Sequence, residues 1–191
     1  MSALEGSESE NTKRARPEWD AYFMTIAMMA SMRSTCLRRQ VGAVLVRERQ
    51  IVSTGYNGAP RGTAHCLEIG CLREILDIPS GERHEMCRGS HAEGNAIAQA
   101  ARMGIATDGA ALYCTDEPCS FCTKSILNAG VARVVYMRPY PDKLAAELRE
   151  EAGAAFELFP TEKLAQVRGW MASAVRGLEE QETKHNHPAA R

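Results

Sequence analysis

Apolar and polar residues alternate along the chain in two patterns, one helical and one strand-like. Apolar residues recur every three or four positions over residues 18–32, 91–103, 119–128, 142–151 and 161–180, which predicts helices. Short apolar runs at 41–46, 51–55, 110–115, 132–137 and 156–159 predict strands, the first two as a hairpin. The alternation of strands and helices predicts an α/β domain, with helices covering both faces of a sheet.

Residues 56–87 break this regularity, because they lack periodicity and are rich in glycine, proline, cysteine and charge. A loop of this length is unusual inside a compact domain unless something local organises it. We therefore expect one catalytic domain at 17–180 that contains a cysteine-rich insert at 59–90. The polar segments 1–16 and 181–191 are expected to be disordered.

Composition narrows the classes of protein that the chain can belong to. With 191 residues, 45% hydrophobic and 25% charged, it is typical of one soluble globular domain. A formal net charge of -1 gives no electrostatic basis for binding duplex nucleic acid or a polybasic membrane contact. No apolar run approaches the ~20 residues of a membrane span. The polar N-terminal stretch also lacks the apolar core of a signal peptide, so a cytoplasmic location is expected.

The cysteine content points to metal binding. Seven cysteines are many for a reducing compartment, and an odd number argues against complete pairing in disulfides. They are Cys36, Cys66, Cys71, Cys87, Cys114, Cys119 and Cys122. Such a set favours metal binding or catalysis over disulfide bonds. Cys114 is an exception, because it lies in a predicted strand and is expected in the core.

Two short motifs carry the chemistry: His91-Ala92-Glu93, and Pro118-Cys119-x-x-Cys122. One histidine and two thiolates suit Zn²⁺, and three protein ligands leave the fourth tetrahedral position to water. Zinc lowers the pKa of such a water from ~15.7 towards ~7. Glu93 is too close in sequence to His91 to act as a separate ligand, but it is well placed to carry protons. The pair of motifs is a known signature of zinc nucleobase deaminases.

The predicted helix starts support this interpretation. Each motif lies where a strand or loop gives way to a helix, and the helix N-terminus favours thiolate at Cys119. Cys119 and Cys122 are three residues apart and share one helical face, so both sulfurs can reach one ion. A Cys-x-x-Cys motif alone is also typical of a redox pair, but that motif requires no upstream His-x-Glu.

The stretch HAEGNAIAQAARMGIATDGAALYCTDEPCSFCTKSILNAGVARVVY resembles the deoxycytidylate (dCMP) deaminase branch of the cytidine deaminase-like superfamily. The segments RSTC, VGAV and GYNGAP and the cysteine-rich insert agree, so the resemblance covers roughly residues 19–160. It implies a three-layer α/β/α fold with a five-stranded mixed sheet. It also implies zinc, hydrolysis of dCMP to dUMP with release of ammonia, and a homo-oligomer from dimer to hexamer. Mg²⁺-dCTP is an allosteric effector that the same resemblance suggests.

The resemblance also assigns roles to individual residues. His91, Cys119 and Cys122 hold the zinc, and Glu93 is the proton shuttle. The residues expected to meet the substrate are Asn57 at the sugar, Tyr136 beside the nucleotide, and Arg33 with Ser34 at the phosphate. A solvated arginine and a core tyrosine remain the alternatives at Arg33 and Tyr136. Gly94 departs from the family pattern, since many relatives carry a larger residue there.

A second, structural zinc in the insert would order the long loop. The expected ligands are Cys36, Cys66, His84 and Cys87, with Cys71 as a substitute. The alternative is that these cysteines are buried free thiols that act as small apolar residues.

Other functions stay open at this point. The substrate could be a 5-substituted dCMP or another cytosine nucleotide such as dCTP. A tRNA adenosine deaminase shares both motifs but is expected to have a basic surface for RNA, which the near-neutral charge does not favour. A regulatory module without activity is disfavoured, because Glu93 and all three ligands are intact.

Overall fold

The described part of the chain comprises residues 16–79, 81–160 and 162–185 of a computed structural model. Almost all of the predicted disordered segment 1–16 lies outside it. The strands are β1 (Gly42–Arg47), β2 (Gln50–Tyr56), β3 (Ala111–Asp116), β4 (Arg133–Arg138) and β5 (Ala155–Leu158). The helices are α1 (Trp19–Ser31), α2 (Cys66–Ile69), α3 (Leu72–Ile75), α4 (Ala92–Arg102), α5 (Ser120–Asn128), α6 (Lys143–Ala152) and α7 (Glu162–His185), with a 3₁₀ turn at His84–Met86.

The five strands form one mixed sheet in the order β2-β1-β3-β4-β5. β1 pairs antiparallel with β2 and with β3, whereas β3, β4 and β5 are parallel. The predicted β1–β2 hairpin is confirmed, and its turn residues Glu48 and Arg49 both have positive φ, which suits a two-residue hairpin turn. α5 and α6 connect the parallel strands, as such connections require.

Two hydrophobic cores lie on opposite faces of the sheet, because successive strand residues point to opposite sides. In β1, Ala43 and Leu45 pack against α4 and α5, and Val44 and Val46 pack against α1 and α7. Val134 and Val135 of β4 divide between the two cores in the same way. The predicted three-layer α/β/α fold is therefore confirmed.

Two glycines bring helices into backbone contact with the hairpin. A Cβ on Gly42 would lie 2.0 Å from Ala27 O in α1, and one on Gly55 would lie 2.1 Å from Ala92 O in α4. Beside Gly55, the Ser53 hydroxyl donates to Ala96 O at 2.8 Å. α4 is thus held tightly against β2, and this contact sets the position of the helix start that carries the His-x-Glu motif.

The insert between β2 and α4 contains local structure that the sequence did not predict, namely α2, α3 and the 3₁₀ turn. Its ends meet in a β-bridge, in which Gly58 N donates to Ser90 O at 3.1 Å and Ser90 N donates to Gly58 O at 2.9 Å. The bridge closes the base of the insert immediately before His91.

Two helix boundaries differ from the predictions. α4 begins at Ala92, with His91 rather than Ser90 as its N-cap. α7 continues to His185, past the predicted end at residue 180, because residues 181–185 contain no glycine or proline to end it. Residues 186–191 of the predicted loose tail lie outside the described residues. Among the described residues, no helix has both the length and the apolar character of a membrane span.

Candidate active site

Three potential metal ligands converge at the starts of two neighbouring helices. His91 is the N-cap of α4, Cys119 is the N-cap of α5, and Cys122 lies in the first turn of α5. His91 Nδ1 is 3.5 Å from Cys119 Sγ and 3.3 Å from Cys122 Sγ. Within the described ranges this is the single group of three or more His, Cys, Asp or Glu residues whose potential ligand atoms all lie within 4.8 Å of one another. The convergence predicted from the two motifs is present.

The local structure explains why these side chains are available. Neither His91 nor Cys119 uses its side chain to cap its own helix. At α5 that task falls to Asp142, whose carboxylate accepts a hydrogen bond from Ser120 N at 2.8 Å and another from Ala145 N at 3.0 Å. The ligand side chains are therefore free to face each other between the helices.

The site favours a thiolate. A hydrogen bond with Cys122, with further help from His91, lowers the pKa of Cys119 to about 4. The same bond raises the pKa of Cys122, and the hydrogen bond with Cys119 raises the pKa of His91. An anionic sulfur at a helix N-terminus is the form in which cysteine binds metal.

Glu93 lies in the first turn of α4 and is only 3% exposed. Burial raises the pKa of its carboxyl above the ordinary 4.5, although the nearby His91 opposes the rise. A carboxyl whose pKa is moved towards neutrality can take up and release a proton at physiological pH, as a general acid–base group must.

A cavity of about 340 Å³ opens in front of these residues. His91, Glu93 and Cys119 line it, and residues of the insert form much of the remaining wall. Volumes of this order are typical of small-molecule sites. The charged wall residues Asp116 and Glu117 already have partners, since Asp116 pairs with arginines 39 and 138 and Glu117 with Arg149.

The four predicted substrate residues are placed differently from one another. Asn57 lines the cavity, but its side-chain amide accepts from Val41 N at 2.8 Å and donates to Arg39 O at 2.8 Å. It therefore shapes the loop before β1 in addition to facing the cavity. Ser34 is buried and donates to Asn57 O, and Arg33 is exposed; neither lines the cavity.

Tyr136 does not line the cavity either, whereas Tyr140, four residues further on, does. Glu117 fixes Tyr140 by accepting a hydrogen bond from its backbone N at 2.7 Å. Tyr140 and the wall arginines Arg38, Arg73 and Arg88 also line the cavity and were not predicted from the sequence. Arginines in a charged, irregular segment are usually solvated, so no local signal distinguishes those that turn inward.

The residues expected to bind a second zinc also surround the cavity. Cys36, Cys66, Cys71 and Cys87 all contribute to its wall, with Cys66 and Cys71 buried. His84 is placed differently, since its ring packs edge-on against His91 with 5.6 Å between centroids. Its Nδ1 is buried and has no hydrogen-bond partner among the described residues. His84 thus belongs to the wall near the first metal-ligand group.

The donor set of one imidazole and two thiols fits Zn²⁺ with one position left for a substrate or water, which is the composition of a catalytic rather than a structural zinc site. Fold and site together define a three-layer α/β/α domain with a potential metal site at two helix N-termini. The sequence model of the family described as "Cytidine and deoxycytidylate deaminase zinc-binding region" matches residues 17–138. The chain belongs to this family.

Individual relatives agree with this assignment. A deoxycytidylate deaminase of Schizosaccharomyces pombe is 41% identical over 78% of the chain, and the match spans 47% of that protein. The chain therefore covers about half the length of this relative. The ComE operon protein 2 of Bacillus subtilis is 39% identical over 92% of the chain and 95% of its own length. The crystal structure of the dCMP deaminase from cyanophage S-TIM5, in complex with dCMP and dUMP, superposes with a TM-score of 0.63 at 31% identity, over 76% of this chain and 99% of that one.

Proposed function

We propose that the protein hydrolyses dCMP to dUMP and releases ammonia. The observation that carries this proposal is the convergence of His91, Cys119 and Cys122 beside the buried carboxyl of Glu93, next to a nucleotide-sized cavity. The dCMP deaminases among the relatives give the substrate class. In the reaction, water replaces the amino group at C4 of the cytosine ring.

His91, Cys119 and Cys122 would hold the zinc, and bound zinc supplies a water of lowered pKa at neutral pH. Burial raises the pKa of the Glu93 carboxyl, so a proton that it takes up is held more firmly than it would be in water. We infer that Glu93 takes up one proton of the attacking water and delivers it to the ring nitrogen next to C4. It then takes up the second proton of that water and transfers it to the amino group, which leaves as ammonia while the oxygen remains at C4. Tyr140 and Asn57 line the same cavity, and we infer that they position the nucleotide.

A substrate panel tests the proposed reaction. Ammonia release is measured for dCMP, a 5-substituted dCMP, dCTP, deoxycytidine, cytidine and a tRNA anticodon stem. We expect dCMP to give the highest kcat/KM. A higher value for the 5-substituted dCMP would move the assignment to that alternative, and inactivity towards every cytosine nucleotide would refute the proposal.

Replacing Glu93 by alanine tests the proton-carrying role. We expect Glu93→Ala to keep one zinc at the site and the wild-type circular dichroism spectrum, but to lose at least ~10²-fold in kcat. Zinc content and turnover are measured on the same preparation. Substantial residual turnover in zinc-loaded protein would contradict the assignment.

We also propose a second, structural zinc in the insert. Burial raises the pKa of the Cys66 thiol, and the neighbouring Cys71, Cys36 and Cys87 raise it further. All four cysteines line the same cavity. Four cysteines are a common ligand set for a closed structural zinc site. Because His84 packs against His91, Cys71 replaces it in the proposed set. These sulfurs are spaced more widely than the first ligand group and would have to close around the ion.

Metal analysis distinguishes the two sites. We expect two zinc ions per chain, of which Cys66→Ser removes one and Cys122→Ser the other. One zinc per chain in fully active protein would remove the second site.

A homo-oligomer, regulation by Mg²⁺-dCTP and a cytoplasmic location remain predictions. Light scattering of the purified protein measures the size of the oligomer. An activity assay with and without Mg²⁺-dCTP tests the regulation.

A further inference from the structure

One arginine of the insert differs from the other charged residues of the cavity wall. Arg73 of α3 lines the cavity and is only 7% exposed. Its Nη2 donates to Pro79 O at 2.8 Å, but its Nε is buried and has no hydrogen-bond partner among the described residues. A buried donor without an acceptor is costly, so its presence indicates that something else supplies the acceptor.

The charge of Arg73 is also unbalanced. No carboxylate lies within 4.0 Å of its guanidinium in the part of the chain that the structure describes. Burying a cation without a partner is unfavourable, and an anion bound from solution can provide that partner. The acidic residues of the wall do not serve, because Asp116 and Glu117 are paired with other arginines.

Two further arginines of the same wall contact backbone carbonyls and, among the residues with described positions, no carboxylate within 4.0 Å. Arg38 Nη1 donates to Ile78 O at 3.1 Å, and Arg88 Nε donates to Ala64 O at 3.1 Å. The part of the cavity wall that contains Arg38, Arg73 and Arg88 therefore carries an excess of positive charge. Guanidinium groups in this arrangement suit a phosphate monoester, which has several acceptor oxygens and a charge near −2.

Tyr140 lines the cavity together with Cys119, Arg39 and Arg73. Burial raises the pKa of its hydroxyl, Cys119 raises it further, and the charges of Arg39 and Arg73 oppose the rise. A nucleotide whose base faces Glu93 would have its phosphate in the same cavity as Arg73.

We propose that Arg73 selects a phosphorylated substrate over the corresponding nucleoside by binding the 5′-phosphate. This inference rests on the proposed function and extends it to a residue of the insert that the sequence motifs do not include. Arg73 contributes the counter-charge and a donor, whereas His91, Glu93 and the two cysteines act on the base.

The test compares dCMP with deoxycytidine in the wild type and in Arg73→Met. We expect kcat/KM for dCMP to fall by ~10²-fold or more, as for loss of a buried charged contact, and kcat/KM for deoxycytidine to stay within about threefold. Arg73→Lys keeps the charge and should restore part of the preference for dCMP. Arg83→Met is the matched control, because Arg83 belongs to the same insert, is exposed and does not line the cavity. Arg83→Met should leave kcat/KM unchanged for both dCMP and deoxycytidine.

An equal loss for both substrates in Arg73→Met would overturn the proposal, since it would mean that Arg73 only supports the loop at Pro79. Unchanged kcat/KM for dCMP would also overturn it. If Arg73→Met does not fold, Arg73→Lys decides the question through product binding. We expect dUMP to raise the unfolding temperature of Arg73→Lys less than that of the wild type. Deoxyuridine, which has no phosphate, should change the unfolding temperatures of the two proteins equally. Failure of the proposed function would appear in the wild type, as no ammonia from dCMP, and the dUMP measurement would still test Arg73.

Discussion

Replacing Gly55 by alanine tests how strictly the sheet positions helix α4. An alanine Cβ would lie 2.1 Å from Ala92 O and 2.5 Å from Ala96 N, and both are backbone atoms that cannot rotate away. Because Cβ contacts under 3.0 Å are essentially never found, the helix has to move away from β2 by roughly 1 Å.

This displacement acts on the active site through one of its two helices. His91 and Glu93 are at the start of α4, whereas Cys119 and Cys122 are at the start of α5. The three atoms nearest to the added Cβ all belong to α4. Misplacing catalytic groups by about 1 Å lowers turnover ~10²-fold. Overpacking of this kind also costs about 1–3 kcal/mol in the free energy of unfolding. We therefore expect Gly55→Ala to lose both activity and stability.

Two other glycines provide matched controls. Gly42→Ala creates a similar collision, 2.0 Å from Ala27 O, but against α1 on the other face of the sheet. We expect a comparable loss of stability with a smaller loss of kcat. Gly94→Ala meets no atom within 4 Å and should stabilise α4 by about 0.5–1 kcal/mol.

The assay measures kcat for dCMP, zinc per chain and denaturant unfolding on all three variants. The reasoning is refuted if Gly55→Ala retains wild-type zinc, kcat and stability. It is also refuted if Gly42→Ala loses as much kcat as Gly55→Ala at equal stability.

Three further predictions concern stability and metal dependence. Hydrogen bonds from Arg133 lower the pKa of Asp20 and of Glu157. The two carboxylates therefore add to the free energy of unfolding above pH ~4.5, and this contribution is lost as pH falls through their lowered pKa values. Arg133→Met should cost about 1 kcal/mol at pH 7 and progressively less below pH ~4 in urea unfolding, and a pH-independent difference would contradict this. Thr115→Val should cost about 1–3 kcal/mol, because the buried Thr115 hydroxyl accepts from Gly42 N at 3.1 Å; an unchanged unfolding midpoint would argue against it. Chelation of zinc should abolish ammonia release and lower the unfolding temperature, with recovery on adding zinc; full activity of zinc-free protein would exclude the proposed metal role.

The metal ligands could be predicted because their signal is local. The spacing in His91-x-Glu93 and in Cys119-x-x-Cys122 places each pair at a helix start regardless of the rest of the fold. The two-faced sheet was predictable for a similar reason, since the strands of a sheet covered on both sides are continuously apolar. Both features depend on neighbours in sequence, which periodicity and spacing detect.

The cavity wall could not be predicted in the same way. α2 and α3 are each a single turn, too short to show a periodic pattern. Whether Arg73 faces solvent or the cavity depends on the path of the whole insert. The same is true of His84, which was predicted as a partner of the insert cysteines but packs against His91. Tyr140 was missed because Glu117, distant in sequence, fixes its position.

The bridge between Gly58 and Ser90 has a consequence for how such a protein can change. Two backbone hydrogen bonds close the insert at its base, so residues 59–89 leave and return at one point of the scaffold. His91 and Glu93 follow directly after this point, whereas Arg73 lies within the closed segment. Exchanging the segment for another of different length would leave the metal ligands in register and replace the wall that meets the phosphate. Substrate choice and reaction chemistry are thus physically separable parts of one chain, and evolution or a designer can alter the first without rebuilding the second.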